Sequence, residues 1–222
     1  MTIRIALLIA LFFLFAAAAV TIPMNAQTQG LGDRTIQRFT IREVSLFDAL
    51  NKLAIDERIP IGIELKNRNH EGKSVVLNLD IKKIKLKELL ALMVQQDRSY
   101  SWEVSADVIN FTPVQDRDPF LAKVLATNIA SFRPGSGRDK LQLRNAITEL
   151  PELGKLLEAH KVSALNFGSS LTDRIAFPAN VDLNCADTDV RGILNRIVRE
   201  SNSKVWVLGW DSDKKDVIYL NF

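Results

Sequence analysis

Two amphipathic segments of this chain repeat one apolar pattern at a distance of 104 residues. The pattern in the first segment is Leu86, Leu89, Leu90, Met93, Val94 and Trp102, and in the second Val190, Ile193, Leu194, Ile197, Val198 and Trp206. Spacings of three and four residues predict a helix in each segment. Amphipathic helices often match by chance, but a tryptophan at the same distance beyond both rarely does. The recurrence therefore predicts two copies of one unit.

The residues before the first helix extend the pattern to a complete unit over residues 36–113. The predicted elements are a strand with Phe39 and Ile41, a helix capped by Ser45 with Leu46, Ala49, Leu50 and Leu53 on one face, strands beginning at Pro60 and Val75, the helix from Leu86, and strands Tyr100–Val104 and Val108–Phe111. Strand segments show a period of two and helices a period near 3.6. The predicted order is βαββαββ.

The second copy is predicted over residues 139–222, with a connector helix and loop at 114–138. Asp118 and Pro119 form a typical N-cap and first helical residue. The apolar face of this connector includes Phe120, Leu121, Val124, Leu125 and Ile129. The predicted fold class is α+β, with tandem βαββαββ units that form two small mixed sheets, each packed with helices.

The N-terminus predicts export. Residues 5–22 carry no charge and follow Arg4, and small residues precede a polar, glycine-containing stretch. This pattern is typical of a secretory signal peptide, here residues 1–26, followed by a flexible tether at 27–35. The run is also long enough for a retained signal anchor. The expected location is the periplasm or the exterior, or the inner membrane with the chain facing the periplasm.

The first copy resembles a known family in its helix and strand pattern. The matching residues are the segment 45–54, Ile59-Pro-Ile-Gly-Ile63, the helix 86–92, Tyr100-Ser-Trp102 and Val108-Ile109. Residues 36–113 are similar to the short N-terminal (STN) domain of secretins and TonB-dependent receptors, and the second half resembles it loosely. The resemblance implies a periplasmic, non-enzymatic domain that docks onto other envelope proteins. No barrel or pore sequence follows here.

Neither the charge of the chain nor the spacing of its possible catalytic and metal-ligating residues favours an enzyme, a metal-binding protein or a nucleic-acid-binding protein. The chain has 29 basic and 26 acidic residues, an excess too small to predict a nucleic-acid partner. His70 and His160 are far apart, and Cys185 is the sole cysteine, so no metal-ligand spacing occurs. No serine stands in a nucleophile-elbow pattern. We therefore expect no catalytic residue, metal or cofactor, although a cleft joining Glu64, Asp173 and Asp182 would favour a hydrolase.

Three features are candidates for partner binding. Lys82, Lys83, Lys85 and Lys87 form the densest basic patch, which predicts either a solvated rim or a docking surface for an acidic partner or glycan. Trp210 has no counterpart in the first copy and predicts a partner anchor or edge packing.

The last predicted strand is the third candidate. It contains Val217 and Tyr219 and has no proline, so it predicts an edge that accepts a partner strand or, alternatively, a strand that completes the core.

Together these features predict a non-catalytic envelope protein-interaction module that docks on a secretion, transport or signalling component. A membrane partner is expected only if the signal sequence is retained. The alternatives are a module that binds cell-wall glycan and a hydrolase with an unrecognised site. A glycan platform would require Trp210 and Tyr219 to be coplanar and solvent-facing.

Overall fold

The computed structural model describes residues 30–66, 75–134, 140–167, 182–200, 204–210 and 216–222. Residues 31–222 form one compact unit. A 3₁₀ turn at Leu31–Asp33 precedes the first strand. The remaining elements are β1 (Thr35–Ser45), α1 (Leu46–Glu57), β2 (Ile61–Glu64), β3 (Val76–Lys85), α2 (Leu86–Gln96), β4 (Tyr100–Ser105), β5 (Val108–Pro113), α3 (Pro119–Leu125), β6 (Asn128–Phe132), α4 (Lys140–Thr148), α5 (Pro151–Ala159), β7 (Ala164–Phe167), β8 (Cys185–Asp189), α6 (Val190–Glu200), β9 (Val205–Trp210) and β10 (Val217–Asn221). Helices and mixed sheets confirm the α+β class.

Helix boundaries lie where the sequence places stop and start signals. The Ser45 hydroxyl accepts a hydrogen bond from the Asp48 amide at 3.1 Å and caps α1, as predicted. Arg58 ends that helix in the left-handed region with φ of 52°. Asp118 caps α3 by accepting from the amides of Phe120 and Leu121, with Pro119 in the first turn. These caps satisfy amides that have no partner inside the helix.

The strands form two antiparallel ribbons and one six-stranded sheet. The ribbons are β1 with β3 and β6 with β8, and the sheet order is β4-β5-β2-β9-β10-β7. In this sheet β4 is antiparallel to β5, β5 is parallel to β2, and β2 is parallel to β9. Farther along, β9 is antiparallel to β10, which is parallel to β7. The sequence predicted a sheet in each half, and in the structure the strands of both halves meet in one.

The two halves show the same order and pairing of strands, and the second half has two helices where the first has α1. Helices α2 and α6 have equal length and begin 104 residues apart. The amide of Leu86 donates to the Arg34 carbonyl at 2.8 Å, and the amide of Val190 donates to the Thr127 carbonyl at 3.1 Å. Each bond joins a helix start to the residue before the first strand of its half. That the halves arose by duplication stays a prediction.

The first strand of the second half lies where the sequence predicted a connector. Ile129 was assigned to the connector helix, but α3 ends at Leu125 and Ile129 lies in β6. Ile129 and Phe132 are buried three residues apart, as are Ile36 and Phe39 in β1. A regular strand buries every second residue. In both ribbons a positive φ, at Lys83 in β3 and at Asp187 in β8, accompanies this three-residue spacing of buried residues. The sequence of β6 therefore lacks the period of two from which strands are predicted.

The sheet separates two apolar cores. Ile61, Ile63 and Phe111 on one face pack with α1, α2 and the β1–β3 ribbon. Trp206 and Leu208 on the other face pack with α3, α4, α5, α6 and the β6–β8 ribbon. Each half therefore contributes its helices to a different face of the shared sheet.

The junction between the halves lies between β2 and β9. Gly62 is paired with Trp206, and a Cβ on Gly62 would lie 2.2 Å from the indole Cε2. Gly209 likewise leaves space for the side chain of Leu65. The absence of a side chain at both glycines allows a large group from the neighbouring strand to lie over the backbone. These contacts place β9 inside the sheet, whereas β4 lies at its border.

Candidate partner-binding site at the free edge of the sheet

Strand β4 is paired on one side only among the described residues. It contacts β5, whereas β10 lies between β9 and β7, and β5 lies between β4 and β2. The expectation that the strand of Val217 and Tyr219 is an open edge is therefore corrected, because β9 and β7 already occupy both of its sides. Val108–Phe111, the corresponding strand of the first half, lies in β5 and is likewise enclosed, between β4 and β2. The alternative expectation, that β10 completes the core, agrees with the burial of Val217.

The hydrogen-bond alternation of the β4–β5 hairpin identifies the backbone groups at the free edge. The Val114 amide donates to the Ser99 carbonyl at 2.9 Å, so this pair is hydrogen-bonded. Because antiparallel pairs alternate, Ser101, Glu103 and Ser105 also face β5. The amides and carbonyls of Trp102 and Val104 consequently point away from the sheet.

The side chains of Trp102 and Val104 lie on the same face of β4. Trp102 is half-buried against the core of the first half, opposite Phe111. Val104 is 44% exposed, and Val114 beyond β5 is 57% exposed. The edge thus combines unpaired backbone groups with apolar surface that a bound strand would cover.

The hairpin tip contacts α6. Ala106 and Asp107 have φ values of 50° and 60°, which is the backbone form of a two-residue type I′ turn. The Arg199 guanidinium donates to the Ala106 carbonyl at 3.3 Å. This contact joins the tip of the β4–β5 hairpin to a helix of the other half.

The start of β4 is shielded from solvent. Burial raises the pKa of the Tyr100 phenol to about 12, and its hydrogen bond to the Lys66 backbone acts in the opposite direction. The Lys66 ammonium lies 5.3 Å from the centre of the Tyr100 ring. Tyr100 therefore stays neutral well above physiological pH, and β4 begins at a fixed, uncharged residue.

A buried ion cluster supports the sheet behind the edge. The Glu64 carboxylate is fully buried and accepts from Arg117 at 2.8 and 2.9 Å and from Arg191 at 3.2 Å. The hydrogen bond to Glu64 raises the pKa of Arg117. Arg191 also approaches Glu103 of β4 at 3.9 Å. Both Glu64 oxygens are thus engaged by guanidinium groups, and the contact with Arg191 of α6 joins the two halves.

The four predicted lysines divide into two pairs. Lys85 donates to the Asp33 carbonyl, and Lys87 forms an ion pair with the Asp33 carboxylate at 2.8 Å. This hydrogen bond raises the pKa of Lys87 and lowers that of Asp33. Lys82 and Lys83 are exposed, and in the described part of the chain neither has a hydrogen-bonding or ionic partner. Lys82 is paired directly with Arg38 across the ribbon.

Trp210 and Tyr219 do not form a common platform. The Trp210 indole donates to the Asp118 carboxylate at 2.8 Å and stacks on Phe120. Trp210 is paired with Ile218, and Tyr219 is the next residue, so the two aromatic rings lie on opposite faces of the sheet. The geometry expected for a glycan platform built from these two residues is absent.

The other sequence candidates are scattered. His160 Nδ1 donates to the Leu156 carbonyl at 3.0 Å, and its ring lies against Phe120. Burial raises the pKa of the half-buried Cys185. Asp182 is exposed, and His70 and Asp173 lie outside the described residues. Within those residues no group of three His, Cys, Asp or Glu side chains is placed to hold a metal ion.

The comparisons with known proteins give no relative. No model of a protein family, no curated protein and no solved structure matches this chain. In the ranges that the structure describes, no helix is long and apolar enough to cross a membrane. The predicted export segment, residues 1–26, lies outside those ranges.

Sequence reasoning found β4 as a strand but did not identify it as the free edge. Its residues alternate between apolar and polar, whereas β9 is a continuous apolar run, which is typical of an enclosed strand. This difference was the available hint. The order of strands in a sheet nevertheless depends on long-range pairing.

Proposed function

We propose that this chain is a non-catalytic envelope module that binds an extended segment of another protein along β4. The supporting observation is that β4 is hydrogen-bonded on one side only, with the backbone groups of Trp102 and Val104 directed outward. A partner strand would pair with these groups and extend the six-stranded sheet.

The chemistry of β4 favours strand addition. Natural edge strands are commonly protected by proline, lysine, bulges or very short length. β4 has six residues and contains neither proline nor lysine. Its charged residue, Glu103, is directed towards Arg191 on the opposite face from Trp102 and Val104. The apolar face is therefore left for the side chains of a partner strand.

Two sequence features support the periplasmic location of this activity. The uncharged run at 5–22 is typical of an export signal, and residues 36–113 resemble STN domains, which dock onto envelope proteins. A secretion, transport or signalling component is the expected kind of partner. No observation at the described residues favours the glycan or hydrolase alternatives.

The experiment uses two substitutions at one position. Val104→Pro removes the outward amide donor, and edge strands accept proline at such positions without losing their fold. Val104→Thr is the matched control, because threonine is β-branched and keeps the amide. The exported protein captures partners from an envelope extract, mass spectrometry identifies them, and the affinity of each variant for the purified partner is measured.

We expect Val104→Pro to weaken binding by roughly tenfold, equivalent to about 1.4 kcal/mol, while Val104→Thr binds like the parent. Hydrogen exchange should show the amides of Trp102 and Val104 slowed by the partner. Equal affinity of both variants, with these two amides unprotected in the complex, would show that β4 is not the binding edge. Circular dichroism verifies that both variants are folded.

A further inference from the structure

The junction inside the chain joins two different kinds of edge. By position in each half, β2 corresponds to β7, and β4 corresponds to β9. Ile59 and Val162 illustrate the first correspondence, since each donates its amide five residues back, to Ala54 and Leu157, just before β2 and β7. The second follows from α2 and α6, which precede β4 and β9. The β2–β9 contact therefore pairs the β2 edge of the first half with the edge of the second half that corresponds to β4.

Both partners of this contact recur, unused, at the two ends of the sheet. β4 is the free counterpart of β9, and β7 is the free counterpart of β2. In the described residues each is paired on one side only. The protein thus carries at its two ends the same complementary edges that its own halves already join.

We propose that β4 of one molecule pairs in parallel with β7 of a second copy of this chain, so that molecules associate head to tail. This inference rests on the proposed function, because it names the strand that β4 receives. The pairing would repeat the parallel β2–β9 ladder, which covers four residues from Ile61 to Glu64.

The relation between the halves determines the form of such an assembly. β4 is antiparallel to β5, while β5, β2 and β9 are mutually parallel, so β9 runs opposite to its counterpart β4. The helices of the two halves also cover opposite faces. The two halves are related by a half-turn about an axis perpendicular to the strands in the plane of the sheet, combined with a shift along that axis. Repeating this operation does not return to the start, so it produces an open chain of molecules.

The contact between molecules should be weaker than the internal junction. At the positions that correspond to Gly62 and Glu64, the second half has Asn166 and Gly168. The glycine that accommodates Trp206 and the carboxylate that binds Arg191 thus have no equivalents there. The two halves of one chain also benefit from a high effective concentration, which separate molecules lack. Association should therefore rise steeply with protein concentration.

Engineered cysteines test the pairing directly. Ser101 in β4 and Leu165 in β7 correspond to Val205 and Ile61, which are paired at the internal junction. Within one molecule these strands are five spacings apart, about 24 Å, too far for a short bis-maleimide to bridge. In a Cys185→Ala background, Ser101→Cys and Leu165→Cys are made in separate chains, mixed at increasing concentration and treated with the reagent.

We expect a cross-linked dimer that contains one chain of each kind and increases with concentration. Adding Val104→Pro to the Ser101→Cys chain should reduce its yield at least fivefold, and adding Val104→Thr should not. Dimers of Ser101→Cys chains alone would indicate that β4 pairs with β4, and would overturn the assignment of β7. Absence of any cross-link at millimolar concentration would also overturn it.

These outcomes are separable from the proposed function. If no cross-link forms but an envelope partner still slows exchange at Trp102 and Val104, β4 binds a different protein and the self-association inference alone fails. If neither cross-linking nor partner protection occurs at β4, both proposals fail.

Discussion

Strands β4 and β9 follow equivalent helices, yet one lies at the border of the sheet and the other at its centre. Trp206 in β9 is fully buried, donates to the Asn195 side chain at 2.7 Å and lies over Gly62. Trp102 in β4 is half-buried on an edge strand. The repeated pattern predicts that both rings are largely buried; Trp206 is fully buried, and Trp102 is partly exposed because no strand among the described residues covers the outer side of β4.

The difference shows that two similar arrangements of helix and strand can occupy different places in one sheet. In the second half, the edge that follows the last helix joins the two halves. In the first half, the corresponding edge is unpaired among the described residues. Whether such an edge is accessible therefore depends on the place of a half in the shared sheet.

Truncation of the two tryptophans should separate these roles most clearly. Trp206→Ala removes a fully buried ring and leaves Asn195 without its donor, so we expect a loss of about 3–5 kcal/mol in the free energy of unfolding. Trp102→Ala should cost about 1–2 kcal/mol, because this ring is only partly buried. Urea denaturation measures both. Equal losses would mean that the junction and the border are packed alike.

High pH should change the stability of the protein in opposite directions through Tyr100, which begins β4, and Lys204, which precedes β9. The folded protein raises the pKa of Tyr100 to about 12, above the usual value of 10. The unfolded chain loses this proton first, so the stability contributed by Tyr100 is complete below pH 10 and falls by about 2–3 kcal/mol up to pH 12. Burial lowers the pKa of Lys204 in the folded protein. The destabilisation caused by burying the charged ammonium group is therefore relieved as the pH rises towards the ordinary pKa of lysine.

Urea denaturation between pH 9 and 12 tests the contribution of Tyr100. The difference in stability between the parent protein and Tyr100→Phe should narrow or reverse as pH rises, because phenylalanine has no proton to lose. A constant difference across this range would show that Tyr100 ionises with its ordinary pKa.

Glycine substitutions test the junction by itself. Gly62→Ala places a methyl group against the Trp206 ring, and we expect a loss of about 1–3 kcal/mol. Gly154→Ala in α5 is the control, since nothing lies within 4 Å of the added Cβ and alanine favours helix by about 0.5–1 kcal/mol. Thermal unfolding should shift in opposite directions. A neutral Gly62→Ala would contradict close packing of β2 on β9.

Much of the local structure was predictable because its causes are local. The Ser45 and Asp118 caps, the helix that begins at Leu86 and the β4–β5 hairpin were all expected. Strand β6 was missed because its buried residues are three apart, a spacing that resembles a helix. Of the candidate site, the sequence indicated Tyr100 to Val104 as a strand but directed attention to Val217 and Tyr219.

The sequence by itself determined which segments form helices and strands, because capping groups and apolar periodicity act between residues close in the chain. Tertiary structure decided which strands became neighbours. Pairing β2 with β9 required Gly62 to meet Trp206 and Arg191 to reach Glu64, over 127 residues for the ion pair. That long-range choice enclosed β9 and β10 and left β4 with unpaired backbone groups, and it is the physical origin of the candidate site.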